Sequence, residues 1–262
     1  MDYATGQTAV ARYEQGQSDR SAYDREAKDC SKLTIPYLYP ETNTGKHTKI
    51  KTPFQAVGAR GVNSLASKLL IALLPPGTPF FKLSIDSLEL MKEGQEGLET
   101  EIDKGLRVIE NALMNEIEIS NDRVALFEAI KHLIVTGNVL LYLTDKGLKV
   151  YHLNKYVCKR DDVGNILEII TKETVHAKAL PEKFVEQLKK KENYDAKDFE
   201  EELDIYTCIK REGDKFIWHQ ECKGAKIPGT DGNSKIDVSP WICLRWVRID
   251  GEDYGRGYVE EY

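Results

Sequence analysis

Thr136-Gly137-Asn138-Val139-Leu140-Leu141-Tyr142-Leu143 is the stretch at which the chain changes its period. Before it, Leu126, Phe127, Ile130 and Ile134 recur at helical steps from a start near Ser120 or Asn121. After Gly137 the apolar run Val139 to Leu143 is β-prone, Asp145-Lys146-Gly147 reads as a turn, and Leu148 to Leu153 returns as the second arm of a hairpin. Gly137 therefore separates a helical half from a strand half.

Working backward, residues 9–30 read as a polar helix with Gly16 as a weak point, lying on a surface or against a partner. Pro36 and Pro40 punctuate an extended stretch, residues 33–39, and a polar loop spans residues 41–51. Thr52 is placed to cap the next helix, with Pro53 in its first turn. Phe54, Val57, Gly61, Leu65, Leu69 and Leu73 then form one apolar face, closed by Pro75-Pro76-Gly77. Gly58 and Gly61 each cost a helix about 1 kcal/mol relative to Ala, so they point to close approach of another backbone. Residues 80–85 read as a short strand. Leu98, Ile102, Leu106, Ile109, Leu113 and Ile117 then draw a second helical stripe, with Glu99, Glu101, Asp103, Glu110 and Glu116 on other faces.

Working forward, Tyr156 to Arg160 and Ile166 to Val175 flank the Asp161–Asn165 turn as a second hairpin. A helix covers residues 180–191. Leu203 to Lys210 and Lys215 to Cys222 flank Glu212-Gly213-Asp214 as a third hairpin, and Trp241 to Ile249 is a last strand. Helices first and antiparallel strands later is an α+β order, without βαβ alternation.

The chain has 262 residues, 37 Lys+Arg against 43 Asp+Glu, and a net charge of −6, which argues against a general nucleic-acid coat. No apolar run is long enough for a membrane helix, and residues 1–20 hold no apolar signal core. Cys30, Cys158, Cys208, Cys222 and Cys243 are odd in number and widely spaced, which fits free thiols in a reducing compartment.

Catalytic motifs are missing. Gly229, Gly232 and Lys235 fail the P-loop spacing and read as a loop, and Ser64 and Ser67 lie within a helix, not on a nucleophile elbow. His219 and Cys222 point to opposite faces of a strand, so they make a poor zinc half-site; His132 and His152 read as structural. Glu200-Glu201-Glu202 and Lys189-Lys190-Lys191 read as solvated charge. No catalytic, cofactor or metal residue is assigned. Tyr254 and Tyr258 flank Gly255-Arg256-Gly257, a bendable loop of interface-favoured residues.

Several segments resemble the portal, or head-to-tail connector, proteins of short-tailed bacteriophages of the autographivirus type. They are Thr52-Pro53-Phe54-Gln55-Ala56-Val57-Gly58-Ala59-Arg60-Gly61 running on through Asn63–Leu69, Arg123–Ala129, Thr136–Leu143, Lys159-Arg160-Asp161 with Gly164-Asn165, Asp204–Thr207, and Arg248–Glu252 with Tyr254-Gly255-Arg256. The matches run in order from about Tyr13 to Tyr262; residues 86–96 and 181–202 diverge, and nothing is carried over there. The resemblance implies a homododecameric ring at one capsid vertex, a conduit for genome packaging and ejection with double-stranded DNA passing through it. Its implied partners are further copies of itself, the major capsid protein and scaffold, the terminase large subunit, tail adaptor proteins and internal core proteins, with no membrane. The ring would sit in the virion after assembly in the host cytoplasm, and would not be an enzyme, since the terminase partner hydrolyses ATP.

On this reading residues 1–50 are an amino-terminal arm, 51–257 an α+β portal wing domain of helices followed by antiparallel β hairpins, and 258–262 the start of a stem helix. The chain is expected to be a fragment whose stem, clip and crown follow Tyr262. Gly58 and Gly61 are candidate contact residues in the wing, and Tyr254 and Arg256 candidates for a hinge or interface toward the stem. Two rivals are a DNA-metabolism enzyme such as a metal-dependent nuclease, and a capsid adaptor without a channel.

Overall fold

A computed structural model describes residues 8–40, 50–85, 99–191 and 202–261. In chain order these form α1 (Ala9–Asp19), α2 (Ser21–Leu33), α3 (Val57–Leu73), α4 (Glu99–Ile119), α5 (Asp122–Thr136), β1 (Asn138–Thr144), β2 (Gly147–Tyr151), β3 (Tyr156–Arg160), β4 (Ile166–His176), α6 (Glu182–Lys191), β5 (Glu202–Glu212), β6 (Lys215–Cys222), β7 (Ala225–Lys226), β8 (Gly232–Lys235), β9 (Trp241–Arg245) and α7 (Tyr258–Glu261). The fold is α+β.

The strands make two antiparallel sheets. The smaller runs β2-β1-β9, and the larger β3-β4-β5-β6-β7, with β8 also paired to β6. Alternation along each strand dictates what covers each face. In β1, Val139 and Leu141 point toward Leu126, Ala129 and Leu133 of α5. Leu140 points the other way, into a core shared with Tyr151, Trp241, Cys158, Ile169, Ile209 and Phe216 between the two sheets. The far face of the larger sheet packs Val157, Ile170, Tyr206 and Cys208 against Ala9 and Tyr13 of α1. Val62 and Ala66 of α3 pack on Ile130 and Ile134 of α5. The layers therefore run α3, α5, small sheet, large sheet, α1, with α6 closing one end of the large sheet through Phe184 and Leu188.

Three hairpins and α5 lie where the sequence pattern puts them. Other expectations need correction. The polar segment 9–30 is two helices at the surface, with Ala9, Tyr13, Gly16, Arg20, Ala27 and Cys30 turned inward. It breaks at Arg20, whose side chain is buried and donates to the carbonyls of Leu153 (2.8 Å) and Tyr156 while pairing with Asp24. Gly16 is no weak point: a Cβ there would lie 3.0 Å from Val157 Cβ, so its bareness lets α1 close on β3. Residues 36–38 form a 3-10 turn within the stretch read as extended.

α3 begins at Val57, not near Pro53, and Ala56 occupies its amino-terminal cap position. Its buried face is Val62 and Ala66, while Phe54, Val57 and Leu73 are exposed, so the apolar stripe of the sequence is rotated from the packed one. α4 shows the same rotation: Ile109 and Leu113 are exposed, Met114 is buried, and Glu110 is buried. Glu110 accepts from Leu83 N–H at 2.5 Å, which holds residues 80–85 as an irregular segment where a strand was expected. Gly232–Lys235, read as loop, is strand β8; Gly232 is bare because the Trp218 ring lies on it. The last strand stops at Arg245 instead of Ile249. Residues 41–49 and 86–98, and Glu200 and Glu201, fall outside the described residues.

Candidate functional site

The helix-to-strand switch is also where the carboxy-terminal segment crosses. α5 ends on Gly137 in the left-handed region (φ 72°), with its N–H returned to Leu133 C=O at 3.0 Å. A Cβ on Gly137 would collide with the Arg256 backbone and come within 2.5 Å of Gly257 N. A Cβ on Gly257 would lie 2.8 Å from Val135 C=O, and one on Gly255 would strike Val247 C=O. Glycine is required on both sides because two backbones touch.

Asn138 fastens this crossing. Its Nδ2 donates to Gly255 C=O (2.7 Å) and Thr136 C=O (3.0 Å), and its Oδ1 accepts from Gly255 N–H (2.8 Å). The side chain is buried, so every one of these groups would otherwise be a stranded polar atom. Tyr254 anchors the next residue: its hydroxyl accepts from Cys158 N–H at 2.9 Å, and its ring lies under the Arg20 guanidinium, 5.5 Å from the centroid. Arg160 adds a third tie, donating from its backbone and Nε to Asp253. The segment 253–257, read from sequence as bendable, is thus held from three directions; its glycines serve close packing.

Tyr254 is buried inside the chain, while Arg256 is exposed and paired only loosely with Glu260 of α7 at 3.3 Å. Directly beyond, Tyr258 and Val259 form one wall of a groove of roughly 440 Å³. The opposite wall is Gly58, Gly61, Leu65 and Lys68 of α3. The fold thus brings Gly58 and Gly61 beside the Arg256 segment, from about two hundred residues away. Their settings differ. A Cβ on Gly58 would lie 2.7 Å from Leu33 C=O, the close backbone approach its position implied; around Gly61 nothing lies within 4 Å, so it opens into the groove.

The other residues that drew notice lie apart. His219 contacts Glu221 at 2.9 Å, and Cys222 is buried under α6. His132 is buried with its ring 6.3 Å from that of His152, whose pKa burial and the neighbouring His132 and Lys155 push down to about 3. Among the described residues no group of three or more His, Cys, Asp or Glu is placed to hold a metal ion. Ser64 lines the groove and Ser67 donates to Asn63 C=O at 2.8 Å. Gly137 was singled out from sequence as the point where the period changes; Asn138 and Arg20 carry the junction without having been given a role there, and the abrupt change of period at Gly137-Asn138 was the available signal.

The family model described as bacteriophage head to tail connecting protein matches residues 6–262. The chain belongs to that family. Among curated relatives of this connector family, the portal proteins of Escherichia phage T7 and Enterobacteria phage T3 are each 40% identical over 97% of the chain and 48% of their own length. The portal protein of Enterobacteria phage SP6 is 31% identical over 100% of the chain and 51% of its own. The chain spans about half the length of the curated relatives it matches. No helix among the described residues is long and apolar enough to cross a membrane.

Proposed function

We propose that this chain acts as a portal subunit: one member of a ring at a single capsid vertex, through which DNA enters and leaves and on which the terminase and tail dock. The carrying observation is the 40% identity to two portal proteins over nearly the whole chain. The protein works by assembly, not catalysis, and its net charge of −6 suits a wall past which DNA must slide, since a dense cationic surface would hold phosphates. Residues 51–257 serve as the wing and α7 leads toward a stem. Residues 8–40 of the amino-terminal arm are built into the same unit, because α1 and α2 bury Ala9, Tyr13, Arg20 and Ala27 against the sheets. Capsid protein, scaffold, internal core proteins and tail adaptors are its further partners, in a virion assembled in the host cytoplasm.

Ring contacts are assigned to the exposed apolar residues of α3 and α4: Val57, Ile71 and Leu73 on α3, and Val108, Ile109 and Ile119 on α4. Gly61, which lines the groove, and the exposed Arg256 are further contact candidates, while Gly58 packs on Leu33 and Tyr254 is buried. Electron microscopy of assembled particles, with this chain labelled, tests the proposal. One labelled ring at one vertex is expected; label spread over many vertices, or a metal-dependent nuclease activity in the purified chain, refutes it.

A further inference from the structure

One rung on the inner face of the large sheet is polar from strand to strand. The register of β4, β5 and β6 aligns Ile169, Ile209 and Trp218, then Thr171, Thr207 and Gln220, then Glu173, Ile205 and Cys222. The first rung packs against the small sheet, and Ile205 and Cys222 of the third lie under α6. Between these two covers, Thr207 and Gln220 line a recess of about 240 Å³. A plain core would put apolar side chains at this level, yet Thr171 is fully buried and Thr207 is 5% exposed.

The walls of the recess are aromatic. Tyr142 and Trp241 come from the small sheet, stacked on each other with centroids 3.9 Å apart and planes 13° apart. Trp218 comes from the large sheet, part-exposed, with its ring against Gly232. The two charges that line it, Lys149 and Glu173, pair with each other, so they cancel. Hydrogen-bonding capacity is left over. Gln220 is half-buried and spends one N–H on Thr207 Oγ1 at 3.3 Å, which leaves its Oε1 as an acceptor. The buried Trp241 Nε1–H and the Thr171 hydroxyl have no partner among the described residues, where buried polar groups are ordinarily matched.

We propose that this recess binds one neutral sugar ring. A pyranose has an apolar C–H face and a rim of hydroxyls, which matches an aromatic wall beside an amide and a threonine hydroxyl. Its C–H face lies on Trp218, and one hydroxyl donates to Gln220 Oε1. The cancelled charges of Lys149 and Glu173 give no preference for an anion or a cation. A nucleobase would need a slot between parallel rings, and Tyr142 and Trp241 already fill the space between their own. The volume lies below the roughly 300–1,000 Å³ of pockets for drug-sized ligands, so a single ring fits and an oligosaccharide does not. The site does not depend on the portal reading.

The test titrates the purified full chain with D-glucose, D-galactose and N-acetyl-D-glucosamine, read by tryptophan fluorescence and by saturation transfer from protein to sugar protons. At least one of these sugars is expected to bind with a Kd of about 0.1–10 mM, with transfer strongest to the protons of one ring face. Gln220→Ala is expected to weaken binding about 3- to 10-fold and Trp218→Leu about 10-fold or more, whereas Trp246→Phe, away from the recess, leaves it unchanged. Thermal melts check that each variant folds; if Trp218→Leu does not, the half-buried Gln220→Ala decides. Binding of none of the three sugars, undiminished binding by Gln220→Ala, or tighter binding of uridine than of every sugar overturns the proposal.

Discussion

Replacing Asn138 tests whether the helix-to-strand junction is held by that one amide. Asn138→Ala removes three hydrogen bonds of 2.7, 2.8 and 3.0 Å and leaves the buried N–H and C=O of Gly255 without their partner. A stranded buried polar group costs about 1–3 kcal/mol, so the two at Gly255 predict a loss of about 2–6 kcal/mol. Asn138→Asp keeps the shape but turns the donor into an oxygen that faces the carbonyls of Gly255 and Thr136, and at pH 7 it also buries a charge. Its loss is expected to equal or exceed that of Asn138→Ala. The carboxyl would have a raised folded pKa, so its penalty is full above that pKa and shrinks as pH falls toward the unfolded value near 4. Urea unfolding followed by circular dichroism reads this out. With a slope of about 3 kcal/mol per M, the Ala variant's midpoint falls by roughly 1 M at unchanged slope. If both variants stay within about 0.5 kcal/mol of the unaltered chain, the junction is not held by Asn138 and the reasoning fails.

Three further outcomes follow from the same geometry. Gly58→Ala is expected to destabilise by about 1–3 kcal/mol, since its Cβ meets Leu33 C=O at 2.7 Å, while Gly61→Ala, with open space, stabilises the isolated chain by about 0.5–1 kcal/mol; thermal melts of the two separate them by sign. Arg20→Ala loses about 3–5 kcal/mol by taking the donor from Tyr156 C=O, one of two from Leu153 C=O, and the cation from Asp24, and Arg20→Lys fails to restore it, because one ammonium on a shorter stem cannot reach both carbonyls and Asp24; chemical denaturation of the pair checks this. His152, with its pKa depressed to about 3, favours the neutral form in the fold; its contribution is complete above pH 6.5 and is lost as pH falls from there toward 3. His152→Gln is therefore expected to flatten the fall of stability between pH 6.5 and 4 by up to roughly 1.4 kcal/mol per pH unit, and parallel curves for variant and unaltered chain refute it.

Local chemistry in the sequence was enough for α5 and the three hairpins. Gly137 can end α5 because only glycine enters the left-handed region cheaply, and the alternation after it makes a strand whose two faces are both apolar, hence buried on both sides. Turn residues at Asp145-Lys146-Gly147 and Glu212-Gly213-Asp214 set the hairpin pairings that are observed. The family resemblance rested on the same short segments.

Tertiary structure decided which side of each helix is inside. α3 and α4 carry more apolar residues than one buried stripe needs, so periodicity alone could not tell Val62 and Ala66 from Phe54 and Leu73, or foresee that Glu110 would turn inward to hold Leu83. It also decided Arg20, whose charge reads as surface in a list of residues and is buried where it donates to the carbonyls of Leu153 and Tyr156 and pairs with Asp24. The meeting of Gly137 with Gly255 and Gly257, and of Arg20 with Leu153 and Tyr156, joins positions about 120 to 136 residues apart. Sequence pattern reports what each residue's immediate neighbours permit; contacts at that range exist only once two sheets and three helices have packed.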